Sequence, residues 1–287
     1  MALRVGFIGL GNQGKPIAAH LAPAGFETTV FDVLEAPMKE LAAGGARAAH
    51  SAREVAEAAD VLGICVPEDE HVLAVMRGAD GILAGAAPGT VLAIHSTILP
   101  ETARALAEEA AAQGVAVLDA CVTGGAARAA QKQLTYLVGG DAEALEKARP
   151  MLEASAVTIL HAGALGNGAR LKLCLNLVTY IQWAAAYESF HLARAIGLPP
   201  ELLEEAGRAN GQITELMVAY LAAHKLPDDA RRGEPVQKLL RGHMRIAEKD
   251  LAWALKLARD AQVALPVGGL VSQLMARLYG VEDEGRR

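Results

Sequence analysis

Val5-Gly6-Phe7-Ile8-Gly9-Leu10-Gly11-Asn12-Gln13-Gly14 decides the fold: an apolar strand runs into GxGxxG, and Ile17 to Leu21 continue as a helix. In that setting the glycines have separate tasks. Gly9 permits the tight turn, Gly11 lets a pyrophosphate approach the backbone, and Gly14 allows helix and strand to pack closely. The amino end of the helix then faces the phosphates. Leu10, Asn12 and Gln13 complete a turn shaped for a dinucleotide. The second strand, Glu27 to Phe31, ends at Asp32, 18 residues after Gly14. A carboxylate there accepts both ribose hydroxyls of an adenosine and repels a 2′-phosphate, which favours NAD over NADP.

Outward from this unit, β-rich runs near 3 to 9, 27 to 32, 61 to 66, 90 to 94, 115 to 119, 134 to 138 and 157 to 160 alternate with helix-length segments such as 100 to 112. That alternation predicts βαβ units and a mostly parallel, doubly wound sheet of Rossmann type. After Gly163 the character changes. From about residue 166 no strand is evident, and helices are expected over 168 to 195, 200 to 209, 213 to 222, 236 to 261 and 266 to 279, separated by Pro199-Pro200, Pro227 and Pro266. The expected architecture is an α/β dinucleotide domain over 1–163 and an all-helical domain over 164–287, joined by a long helix. The tail from Glu282 to Arg287 is expected to fray.

The bulk properties narrow the function. A chain of 287 residues, 52% hydrophobic but 4% aromatic, builds its core from Ala, Leu, Val and Ile. A net charge of −6 offers no basic stripe for nucleic acid. Met1 to Ile8 runs straight into Gly9 and leaves no room for a signal-peptide core, and the apolar run after Lys172 is broken by Asn176, Gln182 and Glu188, which argues against a membrane span. Cys65, Cys121 and Cys174 show neither CxxC nor metal-ligand spacing. They read as unreactive packing residues of a reducing, cytoplasmic compartment. His95, His161 and His243 have no partners at ligand spacing, so no metal is expected.

Gly166-Asn-Gly-Ala-Arg-Leu-Lys-Leu-Cys-Leu-Asn176 places Lys172 and Asn176 four residues apart, where a helix makes them neighbours. At about 100° per residue, Asn176, Thr179 and Trp183 share a stripe with Lys172 while Leu171, Leu173, Leu175, Leu177, Val178 and Ile181 cover the other faces of a helix expected to be buried. Such a lysine is paired, catalytic, or a stem on apolar surface with its head in water. The loop 119 to 125 ends in Thr123-Gly124-Gly125, where amides and one hydroxyl can converge on a carboxylate. Its plain alternative is an ordinary turn. Asp250 is the one polar residue on an arc formed by Ile246, Trp253, Ala254 and Leu257, fitting either a ligand contact or a buried ion pair.

With GLGNQG, Asp119-Ala-Cys-Val-Thr-Gly-Gly125, GxGxxxKxxxN over 166 to 176 and Lys249-Asp250-Leu251 in that order, the chain resembles the β-hydroxyacid dehydrogenase family, the 3-hydroxyisobutyrate dehydrogenase and tartronate semialdehyde reductase group. The resemblance implies NAD-dependent interconversion of a β-hydroxy acid and its semialdehyde or keto acid, in a cleft between the two domains. It implies that Lys172 is the catalytic lysine and Asn176 its substrate-orienting partner. Thr123, Gly124 and Gly125 would bind the substrate carboxylate, Val66, Pro67, His71, Thr97 and Lys249 would contact the cofactor, and Asp250 would stand at the acidic position of the second domain. A lysine desolvated in a closed site has a lowered pKa and can take the hydroxyl proton as hydride leaves carbon.

The chain departs from the family pattern at Cys121, usually proline, at Thr123, usually serine, at Lys132, commonly glycine, and at Gly242, where an aromatic often covers the substrate. The last implies a roomier or differently lined pocket. An imine reductase of the same architecture is the nearest alternative, and Lys172 argues against it; a nucleotide-binding module without chemistry is the other. The apolar length of the helix after Lys172 predicts an oligomer interface in the second domain, giving a homodimer or homotetramer.

Overall fold

The computed structural model describes residues 3–282. Residues 283–287, most of the tail expected to fray, lie outside the described residues. The strands are β1 (Arg4–Ile8), β2 (Glu27–Phe31), β3 (Arg47–Ala48), β4 (Val61–Ile64), β5 (Val91–Ile94), β6 (Ala116–Thr123), β7 (Leu134–Gly139) and β8 (Ala156–His161). They form one sheet in the order β3-β2-β1-β4-β5-β6-β7-β8. The first six are mutually parallel, β7 is antiparallel to β6, and β8 is parallel to β7.

Between the strands run α1 (Gly14–Ala18), α2 (Glu35–Ala43), α3 (Ala52–Glu57), α4 (Asp69–Met76), α5 (Pro100–Ala111), α6 (Gly125–Ala130) and α7 (Ala142–Glu153). Alternation along each strand explains why helices cover both faces. Val61, Val91 and Ala93 turn to a core shared with Ile17, Leu21, Leu145 and Met151. Their neighbours Leu62, Leu92 and Ile94 turn the other way, to Val55, Val72, Met76 and Leu106. Each such side chain, when fully buried, contributes about 1.5–3 kcal/mol.

The chain divides into two compact units, Met1–Lys172 and Leu173–Arg287. The division falls within α8 (Asn167–Ala195), whose 29 residues span about 43 Å at ~1.5 Å per residue. After it come α9 (Pro200–Ala209), α10 (Glu215–Leu221), α11 (Asp228–Arg232), α12 (Glu234–Asp260), α13 (Pro266–Gln273) and α14 (Met275–Tyr279). Among the described residues no strand follows β8. The second unit centres on Tyr180, Leu240, Met244, Leu251, Val271 and Leu278, with a smaller cluster at Phe190, Ile213, Met217 and Leu221.

Several expectations are corrected. The two-residue β3 and the five-residue α11 carry too short a pattern to read. The helix expected over 266 to 279 is two helices, α13 and α14, parted at Leu274. The segment 119 to 125 is not a loop after a strand: Asp119 to Thr123 continue β6 in register with β7, leaving only Gly124 and Gly125 beyond it. Nor is α8 buried all round, since Leu175, Val178 and Leu192 are exposed. No helix among the described residues is long and apolar enough to cross a membrane.

Lys132, where glycine is common, lies at φ 59° just after α6. A left-handed conformation costs a side-chain-bearing residue about 1–2 kcal/mol, partly offset by the extra unfolded-state freedom of glycine. Lys132→Gly is expected to stabilise the protein by roughly 0.5–1 kcal/mol in urea denaturation. An unchanged or lower midpoint would contradict strain at this turn.

Candidate functional site

The parallel run of β1 to β6 gathers the candidate nucleotide residues, with Gly124 of the candidate carboxylate site, at one edge of the sheet. Gly9, Asp32, Val66, Pro67, Thr97 and Gly124 each follow a strand by no more than three residues, at its carboxyl end. His71, the third residue of α4, is exposed. In open α/β sheets this edge is where ligands bind.

The glycine turn passes a direct test of fit. A Cβ on Gly9, at φ 89°, would stand 2.3 Å from the Cys65 carbonyl oxygen, and one on Gly14 would stand 1.9 Å from the Gly9 oxygen. Both must be glycine for the turn to close. A Cβ on Gly11 would meet nothing within 4 Å, so its bare backbone faces open space through which a pyrophosphate can approach. Asp32 Oδ2 accepts from the Leu10 amide at 2.6 Å and Oδ1 from the Leu34 amide at 2.9 Å. Each oxygen keeps a lone pair for a ribose hydroxyl. Val33 and Leu34, which follow, are exposed and carry no positive charge.

Lys172 and Asn176 lie one turn apart on the uninterrupted α8. The amino end of this helix is tied to the sheet through Asp119, a fully buried residue of β6. Asp119 Oδ1 accepts from the Gly166 amide at 2.8 Å and Oδ2 from the Ala169 amide at 2.6 Å. Burial pushes the Asp119 carboxyl up from its ordinary pKa, opposed by the amides of Ala169, Gly166 and Gly168.

In the second unit, Asn176 is buried and its Nδ2 donates to Asp250 Oδ2 at 2.7 Å. Tyr180 donates its hydroxyl to the same oxygen at 3.1 Å, and Lys249 Nζ stands 3.4 Å from Oδ1 as an ion pair. Asp250 is 2% exposed, and the structure shows the ion pair of the alternative reading, with two neutral donors added. An ionised carboxylate only accepts, which fixes the Asn176 amide with its nitrogen toward Asp250 and its Oδ1 turned elsewhere as an acceptor. Burial, and then the Asp250 charge, raise the Tyr180 hydroxyl well above its usual pKa, so it remains a donor.

Thr123 is the last residue of β6, and Gly124 and Gly125 follow at φ 126° and 74°. A Cβ on Gly125 would meet nothing within 4 Å, so no side chain crowds the backbone there. A Cβ on Gly242 would likewise meet nothing within 4 Å.

The cysteines and histidines divide. Cys65 is pushed up to about 12 by burial, and Cys121 is fully buried with Sγ 3.5 Å from the Ser96 oxygen. Cys174 is a correction: it is exposed on α8, not packed. Burial drives His95 down to about 4 between the rings of Phe7 and Tyr136, with Nδ1 on the Ala120 oxygen at 2.9 Å. That is a core role. Among the described residues no group of three or more His, Cys, Asp or Glu could hold a metal ion.

Asp119 and Tyr180 are the residues that sequence reasoning does not single out. Asp119 has a signal as the lone acid in Val115-Ala-Val-Leu-Asp-Ala-Cys-Val122. Tyr180 has one too, four residues beyond Asn176 on the same helix.

Comparison with known proteins covers the chain from end to end. Residues 4–163 match the NAD binding domain of 6-phosphogluconate dehydrogenase, and residues 166–286 match the NAD-binding region of NADP-dependent 3-hydroxyisobutyrate dehydrogenase. An uncharacterised oxidoreductase of Mycobacterium tuberculosis is 40% identical over 97% of this chain and 94% of its own length. The NAD-dependent L-serine dehydrogenase of Pseudomonas aeruginosa is 38% identical over 94% of this chain and 90% of its own. A solved structure of M. tuberculosis 3-hydroxyisobutyrate dehydrogenase with L-serine superposes with a TM-score of 0.79 at 31% identity, covering 98% of this chain and 94% of that one.

The arrangement around Asp250 has a measurable stability. Tyr180→Phe is expected to cost about 2 kcal/mol, the worth of a hydrogen bond to a buried charge, in urea denaturation. A midpoint equal to that of the parent chain would show the bond is not formed in solution.

Proposed function

We propose, because the chain belongs to the β-hydroxyacid dehydrogenase family of NAD-binding oxidoreductases, that it interconverts a small 3-hydroxy acid and its semialdehyde or keto acid. Bound NAD would supply the hydride acceptor. Gly9, Gly11 and Gly14 with Leu10, Asn12 and Gln13 would hold its pyrophosphate, and Asp32 its adenosine ribose.

The observation that carries this reading is the pairing of Lys172 with Asn176 one turn on, whose amide is fixed by Asp250. Lys172, neutral, takes the proton of the substrate hydroxyl; in reduction its ammonium returns that proton to the carbonyl oxygen. Asn176 presents Oδ1, and so receives the hydrogen bond of the hydroxyl or of the lysine ammonium and holds the two in line. Asp250 works through Asn176. The Thr123 hydroxyl and the amides of Gly124 and Gly125 hold the substrate carboxylate, which fixes the hydroxyl-bearing carbon relative to Lys172.

Preference for NAD rests on Asp32, whose charge opposes a 2′-phosphate with no arginine in Val33-Leu34 to relieve it. The exposed Leu175, Val178 and Leu192 of α8 and Val267 and Leu270 of α13 support self-association of the helical unit as a dimer or tetramer.

The test is turnover of L-serine, 3-hydroxyisobutyrate and 2-(hydroxymethyl)glutarate with NAD or NADP, followed by nicotinamide absorbance. At least one acid is expected to react, and Lys172→Ala is expected to lower kcat by about 10²- to 10⁴-fold while NAD affinity is kept. No turnover of any acid, or an undiminished rate in that variant, would overturn the assignment. Sedimentation of the intact protein as a monomer at micromolar concentration would remove the self-association.

A further inference from the structure

Asp119 is a buried carboxylate whose two oxygens accept from the backbone amides of Gly166 and Ala169. Both oxygens face N–H donors, which favour the anion and oppose the burial that pushes this carboxyl up. Gly166 precedes α8 and Ala169 lies in its first turn, where helical amides have no partner of their own. Lys172 follows Ala169 by one turn.

We propose that Asp119 is a positioning residue for Lys172: it fixes the amino end of α8 against β6 and β7, and its charge holds the lysine ammonium against the positive end of the same helix. This rests on the assignment of Lys172 as the acid/base group.

Two close approaches support the fixed placement. A Cβ on Gly139 would lie 2.4 Å from Asp119 Oδ1 and 2.8 Å from the Ala164 oxygen; one on Gly168 would lie 2.4 Å from the Leu137 oxygen and 2.5 Å from the Asp119 oxygen. The carboxylate and the first turn therefore have no space in which to shift. A serine or threonine hydroxyl offers one oxygen where these two amides use two, so a two-oxygen cap already favours a carboxylate. What aspartate adds is a negative charge one turn from Lys172, where the helix dipole would otherwise lower the lysine's affinity for a proton.

Other charged or titratable groups on elements meeting this end of α8 have contacts of their own. Arg104 of α5 bonds the Pro100 oxygen and pairs with Glu101, Arg170 of α8 bonds Asn167, and His161 of β8 bonds the Gly140 oxygen. Tyr136 of β7 bonds Ser155, and Cys121 of β6 contacts the Ser96 oxygen. One turn on, Asp250 and Lys249 of α12 meet each other, with Asp250 on Asn176.

The test compares Asp119→Asn and Asp119→Ser with the parent protein. Lys172 is titrated by NMR of ¹³Cε-labelled lysine, assigned with Lys172→Arg, and NAD affinity is measured by calorimetry. kcat is followed against pH with the hydroxy acid turned over fastest of the three named above. Loss of the charge is expected to lower the Lys172 pKa by roughly half a unit and to move the acid limb of kcat the same way. Displacement of the helix end is expected to lower kcat about tenfold or more, with NAD affinity within about twofold. A folded variant with a lower melting temperature but unchanged Lys172 titration and kcat would reduce Asp119 to a structural cap and overturn the proposal. If Asp119→Asn does not fold, the smaller serine decides. If the parent protein oxidises none of the acids, the proposed reaction fails, while the lysine titration still decides the role of Asp119.

Discussion

The start of α8 must lie against the middle of β6 and β7, and no side chain fits between them. Gly139 and Gly168 remove the Cβ atoms that would collide with main-chain oxygens, and Asp119 supplies acceptors to the amides that this close approach buries. Either half alone would fail: glycines without the carboxylate leave buried donors unsatisfied, and the carboxylate without the glycines has no room. From that joint α8 runs 29 residues, carrying Lys172 and Asn176. A helix anchored at its first turn transmits placement to the next, which carries the lysine.

A second joint at Asn176 uses the same logic with different chemistry. Asp250 is nearly inaccessible, yet Asn176 and Tyr180 donate to its Oδ2 and Lys249 stands beside its Oδ1 as an ion pair. A charge so enclosed persists only with partners, and its partners are thereby oriented. The result is a side-chain amide that cannot flip. An asparagine free to exchange its oxygen and nitrogen would present either an acceptor or a donor on the side away from Asp250; this one presents the acceptor, as the proposed role requires.

How much of this is legible in the sequence depends on whether a feature is local. The strand, turn and helix around GLGNQG, with Asp32 at the end of the next strand, rest on glycine geometry and period-two alternation, and both survive in a linear reading. The spacing of Lys172 and Asn176 is likewise set within one helix. Asp119 and Tyr180 act across 50 and 70 residues respectively, to Ala169 and Asp250, and a periodicity has no means of naming the partner. In a linear reading Asp119 falls with a loop because Thr-Gly-Gly ends in turn residues. Pairing with the antiparallel β7, an interaction between distant segments, carries the strand on to Thr123. Hydrophobicity overstates the packing of α8 for the same reason: it marks a residue as apolar, and Leu175 and Val178 are apolar but exposed on this chain.

Asp32 shows how one carboxylate can serve folding and ligand choice together. By accepting from the Leu10 amide it ties the glycine turn to the end of β2, a strand hydrogen-bonded to β1 in parallel register. By accepting from the Leu34 amide it shapes the chain after that strand. Both bonds hold the charge in place before any nucleotide arrives, so little ordering remains to be done on binding. The same rigidity would sharpen the proposed discrimination: a carboxylate that could swing away would tolerate a 2′-phosphate, whereas one fixed by two amides would meet it as an unrelieved like charge. The proposed preference for NAD therefore depends on the mobility of Asp32 as much as on its sign, and its two backbone donors restrict that mobility.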